Sequence, residues 1–233
     1  MPRLALLALL VVATPALGAT LTGTVSAAMV PAPVLAVVTH DRHVCGQRGR
    51  VWSSSVAADA EGRIEGAIVY VEARAPSDAR ALVTASPRRP RPALIDQRDC
   101  AFVPAVAAVA VGGELRARSS DPVLHNVHVR RQDGSTAANV SMPLAGTEAV
   151  LLVADRPGPL TLSCGAGHTW MHADVLVLEH GLYTATGRGG AYRLEGVPAG
   201  AWWLVAWHPR LGERRVAIQV AAGERTQRQA LAY

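Results

Sequence analysis

A cysteine, a histidine and a methionine stand close together in Cys164-Gly165-Ala166-Gly167-His168-Thr169-Trp170-Met171. At C-x3-H-x2-M spacing a thiolate, an imidazole and a thioether form a soft donor set that suits a transition metal better than a hard cation. One copper ion held by two histidines and a cysteine, with a long axial methionine, fits this set best. Zinc would want a fourth hard or thiolate ligand in place of Met171. The second histidine must come from elsewhere, and Asp121-Pro122-Val123-Leu124-His125-Asn126-Val127-His128 offers it.

Strands have to carry these groups. Leu160, Leu162 and Cys164 alternate with Thr161 and Ser163, which aims the sulfur into a core where Gly165 and Gly167 let the chain turn. In the other segment Val123, His125, Val127 and Val129 share one face, and Leu124, Asn126, His128 and Arg130 share the opposite one. An inward ligand travels with the valines, so His125 is preferred and His128 is expected to point outward. Asn126 is placed to hold the thiolate loop by hydrogen bonds. The competing reading is plain core, since a buried cysteine is usually inert and a nearby histidine a satisfied polar group. Three soft donors at close spacing, with a His-Asn pair on a valine-rich strand, favour the metal.

Around this centre no stretch shows a sustained helical period. Short β-like runs between Gly, Pro, Asp and Ser predict an all-β sandwich or barrel. Strands are expected over 21–26, 34–39, 51–55, 63–72, 101–111, 114–118, 124–131, 149–153, 160–164 and 174–178. The Pro-, Ser- and Arg-rich span 73–96 reads as a long loop with a helical turn around 77–82. After Glu179 the texture changes to short strands at 183–186, 192–194, 202–207, 214–220 and 227–231, joined by glycine-rich turns. That is a second, small β module, marginal for a core of its own and expected to pack on the first or borrow a strand from it.

The chain opens Met1-Pro2-Arg3, continues without a polar residue from Leu4 to Ala13, and reaches Ala16-Leu17-Gly18-Ala19. This predicts a signal peptide over 1–18, a mature domain over 20–178 and the module over 179–233. No later stretch is long enough to span a membrane. Export to the periplasm or beyond permits disulfides, and with Cys164 assigned to the metal, Cys45 and Cys100 remain as the expected pair. Two buried free thiols are the alternative. The formal charge is +5 and Arg supplies all of the basic side chains other than histidine. Arg88-Arg89-Pro90-Arg91-Pro92 could attract an acidic partner or surface, but a solvated loop explains it as well. With 4% aromatic residues and no recognition helix, nothing suggests nucleic-acid binding.

The segments Asp121–His125–Asn126 and Cys164–His168–Trp170–Met171 together resemble a cupredoxin, the superfamily of plastocyanin and azurin. They are similar to the exported cupredoxin-like proteins grouped with methylamine-utilisation proteins, many of which end in a carboxypeptidase regulatory-like module. The stretch from Gly190 through Tyr192, Leu194, Gly196, Val197-Pro198-Ala199-Gly200 and Trp202 resembles that module, with Trp207-His208-Pro209 its usual ending. Cys45-Gly46 and Asp96 to Pro104 extend the likeness upstream. The resemblance implies a Greek-key β-sandwich followed by a transthyretin-like module. It also implies His125, Cys164 and His168 as equatorial ligands and Met171 as the weak axial one. The loop resembles half of the dinuclear copper site of cytochrome oxidase subunit II as well, but Leu160 stands where the second bridging cysteine would be, so one ion is expected.

The function so implied is one-electron transfer with a redox partner protein. Without a G-x-S-x-G, H-E-x-x-H or P-loop motif, no enzyme is expected. Copper storage or delivery is the alternative, with His40, His43 and His172 assisting as extra imidazoles. A third is a carbohydrate-binding or structural surface protein, with Trp202 or Trp203 exposed for stacking and the copper site vestigial. His208 is expected to cap a strand end rather than bind metal.

Overall fold

A computed structural model describes residues 18–46 and 50–233. The leader expected over 1–18 lies outside the described residues apart from Gly18. Alternation of buried and exposed residues, as along Glu114–Ser119 and His125–Arg131, gives such strands one face toward a core. One sheet runs Glu148–Val153, Glu114–Ser119, Ala93–Arg98, Ala101–Val103. The facing sheet runs Thr136–Met142, His125–Arg131, Gly158–Ser163, His172–Leu178, Val106–Ala110. Ile95, Phe102, Leu115, Val127, Leu162 and Val175 fill the space between them.

Two expectations need correction here, and one strand was not expected. The helical turn expected around 77–82 is present as Pro76–Asp78 and Ala79–Ala85, but the rest of 73–96 is not all loop: Ala93–Arg98 is an inner strand. That strand is set by pairing on both sides, parallel to Glu114–Ser119 and antiparallel to Ala101–Val103, which its proline-rich approach does not reveal. The run 101–111 divides at Pro104, so Ala101–Val103 joins one sheet and Val106–Ala110 the other. Thr136–Met142, not foreseen, pairs with His125–Arg131; its half-buried small and polar residues carry little periodic signal.

The residues after 179 do not close a core by themselves. Ala19–Ser26 pairs antiparallel with Ala191–Val197, and Ile68–Ala73 pairs with Gly200–His208. Leu21, Val25, Ile64, Val69 and Val71 thus share a second core with Leu194, Trp202, Leu204 and Ile218. A boundary at 178/179 cuts through this core, because its sheets draw on both ends of the chain. Trp202 is 2% exposed, with its indole N–H donating to the Pro198 carbonyl. Trp203 is half-buried beneath the Arg74 guanidinium. Neither is the freely exposed ring that sugar stacking asks for.

The two cores meet through Ile68, Tyr70, Val205 and Trp207 on one side and Leu176 and Leu178 on the other. This explains why His172–Leu178 ends in an unbroken apolar run: Val175 and Val177 face the sandwich, Leu176 and Leu178 the second unit. Just past that strand His180 is buried, donating from Nε2 to the Val71 carbonyl at 2.9 Å.

Candidate metal centre

His125 opens the strand His125–Arg131 with its ring on the valine face, beside Val127 and Val129, all three fully buried. His128 lies on the other face, its Nε2 2.8 Å from the Thr136 hydroxyl. Gly158–Ser163 runs antiparallel to this strand and delivers Cys164 at its end. The following loop returns His168 to the same point, and Met171 donates its N–H to the His168 carbonyl as the chain enters His172–Leu178.

The donors converge. Nδ1 of His125 and Nδ1 of His168 are 3.2 Å apart, and the Cys164 sulfur lies 3.9 and 3.6 Å from them. All three atoms fall within 4.8 Å of one another, in buried residues. Met171, 1% exposed, belongs to the same core. A neighbouring grouping of Cys100, Asp121 and His125 also has ligand-like spacing. Cys100 is bonded to Cys45, so its sulfur offers no thiolate and that grouping is no metal site.

The loop is fixed from several sides. Asn126 accepts the Gly165 N–H on Oδ1 and gives its amide N–H to Asn139 and the Val140 carbonyl. Its backbone N–H points at the Cys164 sulfur at 3.4 Å. The Trp170 indole N–H donates to the Cys100 carbonyl. Gly167 has φ +93°, a backbone that favours glycine, and a Cβ there would come within 2.8 Å of the exposed His40 ring, which would have to move aside.

Two carboxylates complete the site. Asp121 meets Nε2 of His125 at 2.9 Å and also accepts the N–H groups of Asp99 and Cys100. Asp41 meets Nε2 of His168 at 3.0 Å. The sequence reading missed both. Asp121, four residues before His125, carried a faint signal; Asp41 lies 127 residues from its histidine and carried none.

These contacts govern the electrostatics. Burial alone would lower the His125 imidazole, but its hydrogen bonds to Asp121 and Cys164 outweigh that and hold its pKa at about 9. Burial pushes the Cys164 thiol up, while His125 and the N–H groups of Ala166 and Asn126 bring it below the ordinary thiol range. His168 is lowered by burial and by the charge on His125, against the pull of Asp41. Asp121 resists burial through His125 and its two backbone donors, and stays below the usual carboxylate range. Both Nε2 atoms are engaged by carboxylates, which leaves Nδ1 of each histidine and Sγ of Cys164 facing a common point.

No protein-family model matches the chain, and no curated protein matches it by sequence. Among solved structures it is similar to a purple cupredoxin from Nitrosopumilus maritimus, at 20% identity over 36% of this chain and 98% of that one, with TM-score 0.32. It is similar to a point mutant of amicyanin in its oxidized state, at 19% identity over 47% of this chain and 97% of that one, with TM-score 0.31. A Cu-containing nitrite reductase from Thermus scotoductus SA-01 aligns at 18% identity and TM-score 0.32 over 38% of this chain. The chain spans only 22% of that reductase. At this degree of overlap the case for the site stands on its own side chains.

Those side chains fit copper. Two neutral-capable nitrogens, one thiolate and a buried thioether make a soft set, and both nearby carboxylates are occupied by Nε2 atoms rather than turned toward the donors.

Proposed function

We propose that the chain is an exported cupredoxin-like protein that binds one copper ion and carries single electrons. The observation that supports this most is the convergence of His125 Nδ1, His168 Nδ1 and Cys164 Sγ in a buried cluster. In this reading those three atoms, with the buried Met171 thioether, would hold the ion. Exchange between Cu(I) and Cu(II) is the chemistry the ion supplies when bound. The chain's part is to keep the donors dry and fixed, so that they need not rearrange with oxidation state. Asn126 serves this by tying the strand to the thiolate loop, and its backbone N–H stabilises negative charge on the sulfur.

Burial favours electron carriage over metal delivery. His125 and His168 are both 0% exposed, which opposes ready handover of the ion to another protein and leaves a substrate no access to it. The reading therefore includes no enzymatic activity. It does include a redox partner protein with an acidic surface, since Arg42, His40 and His43 are exposed on the segment beside His168. Arg88, Arg89 and Arg91 are exposed as well. Periplasmic or secreted location is supported by the Cys45–Cys100 disulfide; no helix among the described residues is long and apolar enough to cross a membrane. The C-terminal unit is read as a carboxypeptidase regulatory-like module on its glycine, aromatic and Val-Pro-x-Gly pattern.

The test is the visible spectrum of purified protein loaded with Cu(II). An intense thiolate-to-copper band is expected, absent in Cys164→Ser and kept in His128→Ala. A colourless protein that binds copper no better than its Cys164→Ser variant would end the proposal.

A further inference from the structure

Behind the donor atoms is a frame that the ligand motif does not include. Each ligand histidine turns Nδ1 to the centre and Nε2 to a carboxylate, Asp121 for His125 and Asp41 for His168. These carboxylates belong to segments far apart in sequence, yet they are joined. Asp41 begins the short helix Arg42–Cys45, and the Val44 and Cys45 N–H groups donate to its carbonyl. Cys45 is bonded to Cys100, and the Cys100 N–H donates to Asp121 at 2.8 Å. A continuous path thus runs from His168 through Asp41, the helix, the disulfide and Asp121 to His125.

Backbone strain marks the same path. Among the described residues the non-glycine residues with positive φ are Asp41 at 45°, Asp99 at 54° and Cys100 at 54°. Asp41 and Cys100 lie on it and Asp99 beside it, and each holds a conformation that costs energy and persists where its surroundings impose it. In Asp41 the left-handed turn accompanies a side chain on His168; at Asp99 and Cys100 it brings two consecutive N–H groups onto Asp121.

We propose that Asp41 and Asp121 are positioning residues that hold the two ligand histidines by Nε2, and that the Cys45–Cys100 disulfide locks them into one frame. This rests on the copper reading for its consequence but not for its geometry. Held by an acceptor at Nε2, each ring keeps Nδ1 free for the metal and gains basicity as a ligand, which favours Cu(II) over Cu(I). Asp→Asn keeps an acceptor and removes the charge; Asp→Ala removes both.

Two readouts separate this from the copper proposal. Nuclear magnetic resonance of histidine-labelled protein, stripped of metal by chelator, reports each imidazole Nε2–H directly. Slowly exchanging signals are expected for His125 and His168, with Asp41→Ala losing that of His168 alone and Asp121→Ala that of His125 alone. In Cys45→Ala/Cys100→Ala the His168 signal should exchange at least tenfold faster. On Cu(II)-loaded protein, each Ala variant should bind copper roughly 10–100-fold more weakly, with a more positive reduction potential and the Asn variants in between. Asp121→Ala also removes the acceptor for two backbone groups and could unfold; Asp41, 35% exposed, keeps the test decisive. Unchanged Nε2–H signals in Asp41→Ala, or copper affinity within about twofold of the parent, would overturn the proposal. A parent protein that shows the signals but no copper band would sink the copper reading and leave the frame standing.

Discussion

The Nδ1 atoms of His125 and His168 face each other at 3.2 Å across a sequence separation of 43 residues. One comes from the start of a strand and the other from a loop, so neither is placed by the other's local structure. What brings them together is the pairing of His125–Arg131 with Gly158–Ser163, which sets Ser163 opposite His128 and Cys164 beside Asn126.

The loop that carries His168 should tolerate no side chain at residue 167. Gly167→Ala places a Cβ against the His40 ring on a left-handed backbone. A loss of about 1–3 kcal/mol is expected. Urea denaturation of the two proteins would show it, and an unchanged midpoint would mean that His40 does not pack there.

Removing the disulfide should cost more. The bond joins residues 55 apart, and the chain-entropy model gives about 4 kcal/mol for a loop of that size. Cys45→Ala/Cys100→Ala should accordingly melt well below the parent in calorimetry. A difference within error would argue that the segment from Thr39 to Gly46 is held by its other contacts.

Asn126→Ala removes the acceptor for the Gly165 N–H together with the bonds to Asn139 and Val140. About 1–2 kcal/mol of stability should go with them. Faster copper loss to a chelator is expected besides, because the thiolate loop is freed from its neighbour strand. Equal release rates for parent and variant would count against that role.

Acid should weaken the C-terminal unit through His208. Burial and the charge of Arg210 lower its pKa from 6.5 to about 4, and its Nδ1 accepts the Arg210 N–H only when unprotonated. The unfolded chain therefore takes up this proton near 6.5 and the folded chain only near 4. Its contribution is full above 6.5 and is lost as pH falls through that window, by about 2 kcal/mol after allowing for partial solvent screening. His208→Gln should flatten the decline in urea midpoint between those two pH values; an identical slope would refute the assignment.

A fragment ending at residue 178 should not fold on its own. It would strip Ala19–Ser26 and Ile68–Ala73 of their partners and expose Leu176 and Leu178. Circular dichroism is expected to show no cooperative melt, whereas a sharp transition would make the second unit dispensable.

Much of this was legible in the chain itself. Period-two alternation marks most of the strands, and parity along Val123–Val129 alone puts His125 with the buried valines and His128 outside, because a strand's side chains have no third direction to choose. The soft donors at 164, 168 and 171 are likewise a local pattern. Tertiary structure decided the rest. That Ala93–Arg98 is an inner strand, that Ala19–Ser26 completes a sheet with residues near 194, and that Asp41 reaches His168 all depend on pairing between distant segments. Which segment pairs with which leaves no trace in either one, since its stabilisation comes from hydrogen bonds and burial that exist only once both are in place.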